Sequence, residues 1–114
     1  AFSATDAVDT LVMEPKGKSA LHLYMILLNP EVMGGDRANM LAEAREMGVE
    51  LSVNYTPIHL FSWYRKFCAT PGAYPNAEYC GANVISLPFY PAMTNRDVQH
   101  VIEVMQHLLK KYRR

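Results

Sequence analysis

The pattern of apolar and polar residues predicts three strands and one candidate edge strand in this chain. In residues 21–28 both alternating sets of side chains are largely apolar, which predicts a central strand covered on both faces. Residues 49–55 show the clearest alternation and predict a half-buried strand. A short strand is predicted at residues 84–87, where Pro88 closes an apolar run. The apolar residues 11–13 are the candidate edge strand.

Helical spacing of apolar residues predicts two longer helices. The first ends at Gly48, since glycine readily adopts the left-handed conformation that closes many helices. Its apolar face consists of Met40, Leu41, Ala44 and Met47. The second is the terminal helix, which Thr94 and Asp97 begin with a sequence like a capping box. Its apolar face consists of Val98, Val101, Ile102, Met105, Leu108, Leu109 and Tyr112.

The remaining segments complete the predicted fold. Residues 58–67 are too crowded with aromatic side chains for a solvent-exposed loop, which predicts a short helix packed on the sheet. Asn76 is a candidate cap for a brief helix that runs to Gly81. The order of elements predicts an α/β (α+β) fold with two layers, a short mixed or antiparallel sheet and helices packed on it. With 114 residues, half of them apolar, the chain has the size of one domain, 1–114, in which residues 1–19 form a linker or edge segment.

The charge balance excludes some classes of partner. Eleven basic residues offset eleven acidic ones, so no net field draws the protein towards nucleic acid or an anionic membrane. Arg65 and Lys66 stand among aromatic residues, but without a wider basic stripe they indicate the solvated edge of a helix. The longest apolar run, residues 20–28, is far shorter than the roughly 20 residues that span a membrane. We therefore expect neither a nucleic-acid nor a membrane partner.

The cysteine content favours a reducing compartment. Cys68 and Cys80 are too few for the disulfide framework of a small secreted domain, and the sequence shows no signal peptide, so we expect free thiols and a cytoplasmic protein. Together with His59 they contain no close pair of ligands, so a zinc site is not expected. His100 and His107 lie two helical turns apart, too far for one metal ion, and are interpreted as boundary residues of the terminal helix.

His59 holds the most suggestive position for chemistry. It follows Pro57 just beyond a predicted strand end, where a loop can present it to a ligand. An isolated histidine is more often structural, and spacing alone favours that interpretation. The sequence contains no glycine-rich phosphate loop, no nucleophile elbow and no catalytic pair of carboxylates. The residues by themselves therefore indicate a soluble domain with one candidate ligand loop.

An ordered set of short phrases points to a known family. The phrases are His22-Leu23-Tyr24, Met47-Gly48-Val49-Glu50, Val53-Asn54-Tyr55-Thr56-Pro57-Ile58-His59-Leu60, Tyr64-Arg65, Pro75-Asn76-Ala77-Glu78, Ile85-Ser86-Leu87-Pro88, Tyr90-Pro91 and Met93-Thr94. In this order and spacing, across residues 20–112, they resemble the C-terminal part of the DegT/DnrJ/StrS family of sugar aminotransferases.

That resemblance implies a function for the parent protein. Members have the type I fold of enzymes dependent on pyridoxal phosphate (PLP), and they transfer an amino group, usually from L-glutamate, to a ketone on a nucleotide-linked sugar in polysaccharide or natural-product biosynthesis. The resemblance implies PLP as cofactor, bound mainly by a large N-terminal domain, and a homodimer when intact. None of the five lysines lies in a segment like the family's cofactor-lysine motif. This chain is therefore expected to be the small domain alone and inactive by itself.

The resemblance also implies a substrate-side loop at residues 54–59. Tyr55 and His59 match the family's typical residues there. Family members commonly have histidine where this chain has Asn54, and asparagine keeps hydrogen-bonding capacity without a titratable proton. The implied substrate-binding residues are Asn54, Tyr55 and His59, with no catalytic, cofactor-binding or metal-binding residue in the chain. Glu78, in contrast, is explained by a helix start alone.

A hypothesis from another class stays open at this point. The same order of elements could build a freestanding, non-enzymatic α/β module that binds a ligand or regulates a partner. The two hypotheses differ in gene length, because the small-domain hypothesis requires a much longer reading frame upstream, with a lysine motif. The start at Ala1 without methionine, followed by a polar stretch at residues 3–10, is compatible with a cut inside a longer protein.

Overall fold

A small antiparallel sheet forms the centre of the protein. The computed structural model describes residue 2 and residues 4–11, 17–20, 22–67 and 71–114. Within these ranges the sheet has three strands in the order β1 (Val8–Thr10), β2 (Tyr24–Leu28) and β3 (Val84–Leu87). Both pairings are antiparallel, with Val8 opposite Leu28 and Ile26 opposite Ile85. The prediction of a short mixed or antiparallel sheet with helices packed on it is confirmed, and the sheet is antiparallel. The strand predicted at 84–87 is present, whereas the strand predicted at 21–28 begins only at Tyr24, with Leu21 outside the described residues.

The long terminal helix, α3 (Asn95–Lys111), shares the hydrophobic core with the sheet, as its periodicity predicts. Met105 and Leu108 are fully buried in the same cluster as Ile26 and Ile85. The helix begins with a true capping box, in which the side chain and backbone of Thr94 exchange hydrogen bonds with Asp97. Val98, assigned to the buried face by its spacing, is instead 43% exposed at the first turn.

The helix α1 (Arg37–Glu46) also follows its sequence pattern. The Asp36 side chain accepts a hydrogen bond from the amide of Ala38 and so caps the N-terminus. Met40 and Ala44 are buried, with Leu41 and Met47 packed against the core. Gly48 then turns the chain with a φ of 81°, a conformation in which glycine carries no steric penalty.

The half-buried strand predicted at residues 49–55 is wrong as a strand, and its burial pattern holds only as far as Ser52, since Tyr55 is exposed. Val49 and Leu51 are buried while Glu50 and Ser52 are exposed. The amide of Val49, however, is bonded to the carbonyl of Ala44 at the end of α1. Only Ser52 pairs with β3, through a single bridge to Ser86 with N–O distances of 3.1 and 2.8 Å. Alternation indicates which side chains face the core, but it does not show whether the backbone forms hydrogen bonds with a neighbouring strand.

The short helix packed on the sheet that was predicted at residues 58–67 is wrong. Two 3₁₀ turns, Ile58–Leu60 and Tyr64–Lys66, occupy this segment. Most of its large side chains are exposed rather than packed on the sheet: Ile58, Phe61, Trp63, Tyr64 and Phe67. The aromatic crowding that predicted packing therefore marks a surface of the described chain.

Two further elements begin at other residues than those predicted. Helix α2 runs over Pro75–Asn83, with Tyr74 rather than Asn76 as its N-cap and with Pro75 in its first turn, where the missing N–H costs no intrahelical hydrogen bond. The first strand lies at Val8–Thr10 instead of residues 11–13, of which Leu11 is 54% exposed and the other two lie outside the described residues. Phe2 and Ala7 are buried, so part of the segment 1–19 contributes to the core.

Helix α2 passes into β3 without an intervening residue, since α2 ends at Asn83 and β3 begins at Val84. Arg37 of α1 donates from Nη1 to the carbonyls of Gly81 and Val84, at 2.8 and 3.0 Å. These bonds satisfy carbonyls that the end of a helix leaves without intrahelical partners. Burial lowers the pKa of the Arg37 guanidinium from its ordinary value, although arginine keeps its charge in proteins. The junction is thus fastened to α1.

Candidate functional site

A mostly apolar cavity lies beside the candidate ligand loop. Its volume is about 330 Å³, and it lies between the sheet face of Met25 and Leu27, the loop 54–57 and helix α2. Met25 and Leu27 belong to the sheet face opposite Ile26, which points into the core. The wall contributed by α2 consists of Ala77, Cys80 and Gly81. An apolar cavity rimmed by a few polar groups is the usual form of a small-ligand site.

Asn54 and Tyr55 both line this cavity. The Tyr55 side chain is the more accessible of the two, with 70% of the residue's surface exposed. Asn54 is half-buried, and its Oδ1 accepts a hydrogen bond from Oγ of Ser52 at 2.8 Å. That bond engages the carbonyl end of the amide, whose NH₂ end can act only as a hydrogen-bond donor. The peptide between Asn54 and Tyr55 is cis.

His59 lies behind the loop and is not part of the cavity wall. It is 6% exposed, and its ring packs against Tyr74 with a centroid distance of 4.8 Å. Its Nε2 lies 3.0 Å from Oε1 of Glu78 in α2. An ionised carboxylate only accepts hydrogen bonds, so the Nε2–H group of His59 is the donor in this bond. The structure thus brings Asn54 and Tyr55 together at the cavity and places the buried His59 side chain against Glu78 and Tyr74 instead.

Glu78 is the residue that the sequence did not single out. Besides His59, its Oε1 accepts the amides of Gly72 at 2.7 Å and of Tyr74 at 3.4 Å. The hydrogen bond from His59, followed by that from the Gly72 amide, lowers the pKa of the Glu78 carboxyl from its ordinary value. A helix start explains only part of the contacts of Glu78, because its main hydrogen-bond partner, His59, lies 19 positions earlier in the chain. An acidic residue in the first turn of a helix was the one available signal.

The loop also touches α2 through Pro57. A Cβ added to Gly81 would lie 2.7 Å from Cγ of Pro57 and nearer still to Cδ. The absence of a side chain at Gly81 therefore permits the close approach of the loop to the helix. Glu78 and Gly81 are three residues apart and share one face of α2.

Groups that could bind a metal ion or a cofactor are scarce in the described ranges. Among those residues no group of three or more His, Cys, Asp or Glu side chains could hold a metal ion. Cys80 is an exposed, unbridged thiol, and Cys68 lies outside the described residues. His100 and His107 have separate partners, the carbonyl of Met47 at 2.9 Å and Glu43 at 3.7 Å.

The described lysines do not reach the cavity. Lys66 lies over the ring of Trp63 at 5.1 Å, Lys111 is bonded to Glu43, and no lysine is found among the described cavity-lining residues. These residues therefore do not fit the requirement of PLP for a lysine that anchors it.

None of the helices in the described ranges combines the length and the apolar character that a membrane crossing requires.

Comparison with known proteins identifies the family. Residues 2–106 match the DegT/DnrJ/EryC1/StrS aminotransferase family. The chain belongs to this family. The family resemblance inferred from the ordered phrases across residues 20–112 is thereby confirmed.

Relatives of similar sequence cover nearly the whole chain. Uncharacterized protein MJ1066 of Methanocaldococcus jannaschii is 33% identical over 113 residues, which are 98% of this chain and 29% of the relative. Spore coat polysaccharide biosynthesis protein SpsC of Bacillus subtilis is 30% identical over 112 residues, 96% of this chain and 29% of the relative. This chain thus spans less than a third of the length of these two curated relatives.

A solved structure confirms the fold. The PMP-form of the putative sugar aminotransferase Spr1654 from Streptococcus pneumoniae superposes with a TM-score of 0.84 at 23% identity. The match covers 96% of this chain and 27% of the neighbour. The small α+β fold described above is therefore that of one part of a DegT-family aminotransferase.

Proposed function

We propose that this chain is the C-terminal small domain of a PLP-dependent aminotransferase that transfers an amino group from L-glutamate to a keto group of a nucleotide-linked sugar. The observation that carries the proposal is the family match over residues 2–106. Two similar proteins support a sugar as acceptor: SpsC is a spore coat polysaccharide biosynthesis protein, and Spr1654 is a putative sugar aminotransferase. The product enters polysaccharide or natural-product biosynthesis, and the intact enzyme works in the cytoplasm as a homodimer.

The loop at residues 54–59 is the proposed sugar side of the site. Tyr55 offers an exposed ring and hydroxyl at the cavity, suited to stacking on a sugar face and bonding its hydroxyls. Asn54 offers the NH₂ group that Ser52 does not occupy, which can donate to a sugar or phosphate oxygen. A donor at this position acts without a titratable proton, so binding through Asn54 should not depend on pH near neutrality.

His59 is proposed to serve sugar binding from beneath the same loop. Its buried ring bonds to Glu78, and it follows Tyr55 by four residues. In this arrangement the histidine supports the backbone that presents Asn54 and Tyr55. Its contribution is therefore expected in the reaction of the sugar rather than in that of glutamate.

The cofactor belongs to the rest of the proposed enzyme. PLP would be held in its resting form by a lysine of the large domain and would supply the carrier for the amino group between donor and acceptor. The described residues of this chain supply no lysine to the cavity, so the small domain closes the substrate side. The isolated chain is accordingly proposed to be inactive.

The test uses the full-length enzyme and the 114-residue chain side by side. Each is incubated with L-glutamate and a panel of nucleotide-linked keto sugars, and 2-oxoglutarate and the aminated sugar are measured by mass spectrometry. We expect both products only with the full-length enzyme. A borohydride-reducible PLP aldimine that maps to one of the five lysines of the isolated chain, or a full-length enzyme that aminates no sugar of the panel, would contradict the proposal.

A further inference from the structure

We infer that Glu78 is a positioning residue for the sugar-side loop: its carboxylate, through His59, holds Asn54 and Tyr55 at the cavity. This inference rests on the proposed function for its effect on turnover. Its structural half concerns only residues of this chain and stands apart from that function.

The carboxylate of Glu78 joins three separate segments of the chain. Its Oε1 accepts from the His59 ring in the first 3₁₀ turn, and from the amides of Gly72 and Tyr74 in the turn before α2. Glu78 itself belongs to the first turn of α2. A bond from a nearly buried ring to an ionised carboxylate is among the stronger hydrogen bonds in proteins. One oxygen atom thus fixes the relative positions of these segments.

The sugar-side loop is held at both of its ends. Before Asn54, the chain is bridged to β3 by the two backbone hydrogen bonds between Ser52 and Ser86. After Tyr55, it is held on α2 by the contact of Pro57 with Gly81 and by the bond of His59 to Glu78. The intervening residues have little freedom to move away from the cavity as long as both attachments remain. Glu78 supplies the polar part of the second attachment.

The chemistry of the three donors predicts how substitutions at Glu78 differ. Alanine would leave a buried ring N–H without a partner, and such a group costs more than the hydrogen bond itself contributes. Glutamine keeps a carbonyl oxygen at the same reach, so it can accept from His59 and from Gly72 without the negative charge. A positioning role therefore predicts rescue by glutamine, whereas a role of the charge itself does not.

The first experiment records amide spectra of the isotopically labelled 114-residue chain as Glu78→Ala, Glu78→Gln and the control Glu103→Gln. Glu103 is an exposed helical glutamate that bonds only to Gln99 in the described ranges. In Glu78→Ala we expect the amides of residues 54–60, except Pro57, and of residues 72–74 to shift or broaden, while those of α1 and α3 stay. Glu78→Gln should restore most of the positions, and the control should leave both segments unchanged. Unmoved amides at 54–60 in Glu78→Ala, or a spectrum that collapses throughout in Glu78→Gln, would overturn the inference.

The second experiment measures the full-length enzyme with the same substitutions. In Glu78→Ala we expect the KM for the sugar to rise about tenfold, as for the loss of one hydrogen bond to a charged group, with the glutamate half-reaction changed by less than about threefold. Glu78→Gln should recover most of the affinity. Equal losses in both half-reactions would overturn the positioning role. If the wild-type enzyme aminates no sugar, the proposed function fails, while the amide spectra still decide whether Glu78 holds the loop.

Discussion

Gly81 of α2 and Pro57 of the sugar-side loop are in direct contact, and the contact exists because Gly81 has no side chain. We expect Gly81→Ala to displace the loop. The methyl group would overlap the proline ring, and overpacking of this kind costs about 1–3 kcal/mol, against a gain of up to about 1 kcal/mol in helix propensity. Urea unfolding should therefore show a net loss of stability, and the full-length enzyme a weaker affinity for the sugar. Asn76→Ala, an exposed change on the same helix, is the control. A Gly81→Ala variant that gains stability and keeps its affinity would show that α2 and the loop do not touch.

His59→Ala separates the two half-reactions in the intact enzyme. The truncation removes the ring that bonds to Glu78 and packs on Tyr74, so both the loop and the scaffold beneath it are affected. We expect a lower melting temperature together with a loss in the sugar half-reaction of about tenfold, corresponding to about 1.4 kcal/mol, and a smaller loss in the glutamate half-reaction. Stopped-flow measurement of each half-reaction provides the comparison. Losses of equal size would assign His59 to the scaffold alone.

Tyr55→Ala should weaken sugar binding without weakening the fold. The residue is 70% exposed, and substitutions at such sites usually change stability by less than about 0.5 kcal/mol. We expect an unchanged melting temperature and a raised KM for the sugar, with Tyr55→Phe retaining the part of the affinity that comes from ring stacking. Tyr90→Ala, an exposed tyrosine that does not line the cavity, serves as the control. An unaltered KM in Tyr55→Ala would remove Tyr55 from the proposed site.

Acid should weaken the link between α1 and the C-terminal end of α3. Hydrogen bonds from Lys111 and then from the Tyr112 hydroxyl lower the pKa of the Glu43 carboxyl from its ordinary value of 4.5. A carboxyl whose folded pKa is depressed contributes stability that is present above its unfolded pKa and is lost as the pH falls through the folded one. We therefore expect stability to decline below about pH 5, and less steeply in Glu43→Gln. Urea unfolding across pH 3–7 measures both slopes, and identical slopes for wild type and variant would contradict the assignment.

Helices α1 and α3 and strands β2 and β3 could be predicted because local pattern decides them. Thr94 and Asp97 lie three residues apart and meet in the capping box, and the apolar spacing from Val101 to Leu109 matches the buried side of α3. Ile26 and Ile85 lie in runs whose composition already favours strands. In each case either the hydrogen-bond partner of a residue lies within one helical turn, or the spacing of apolar residues shows which face is buried.

Other features depend on partners that local pattern does not specify. Val49 to Tyr55 alternates like a strand, but the amide of Val49 is taken by α1 and only Ser52 reaches β3. The loop that carries Asn54 and Tyr55 was found through family resemblance, whereas its support by Glu78 needed the three-dimensional structure. The aromatic residues near Trp63 were expected to be packed and are exposed instead. Composition shows that a segment is apolar, but it does not show whether other residues cover that segment.

The direct passage from α2 into β3 at Asn83 and Val84 determines how this region can vary. Because no spacer residue separates the helix from the strand, an insertion there would rotate α2 by about 100° per residue relative to the sheet. Glu78 and Gly81 would then face away from the loop, and the carbonyls that Arg37 binds would leave its reach. The length of this stretch therefore cannot change without moving the sugar-side loop.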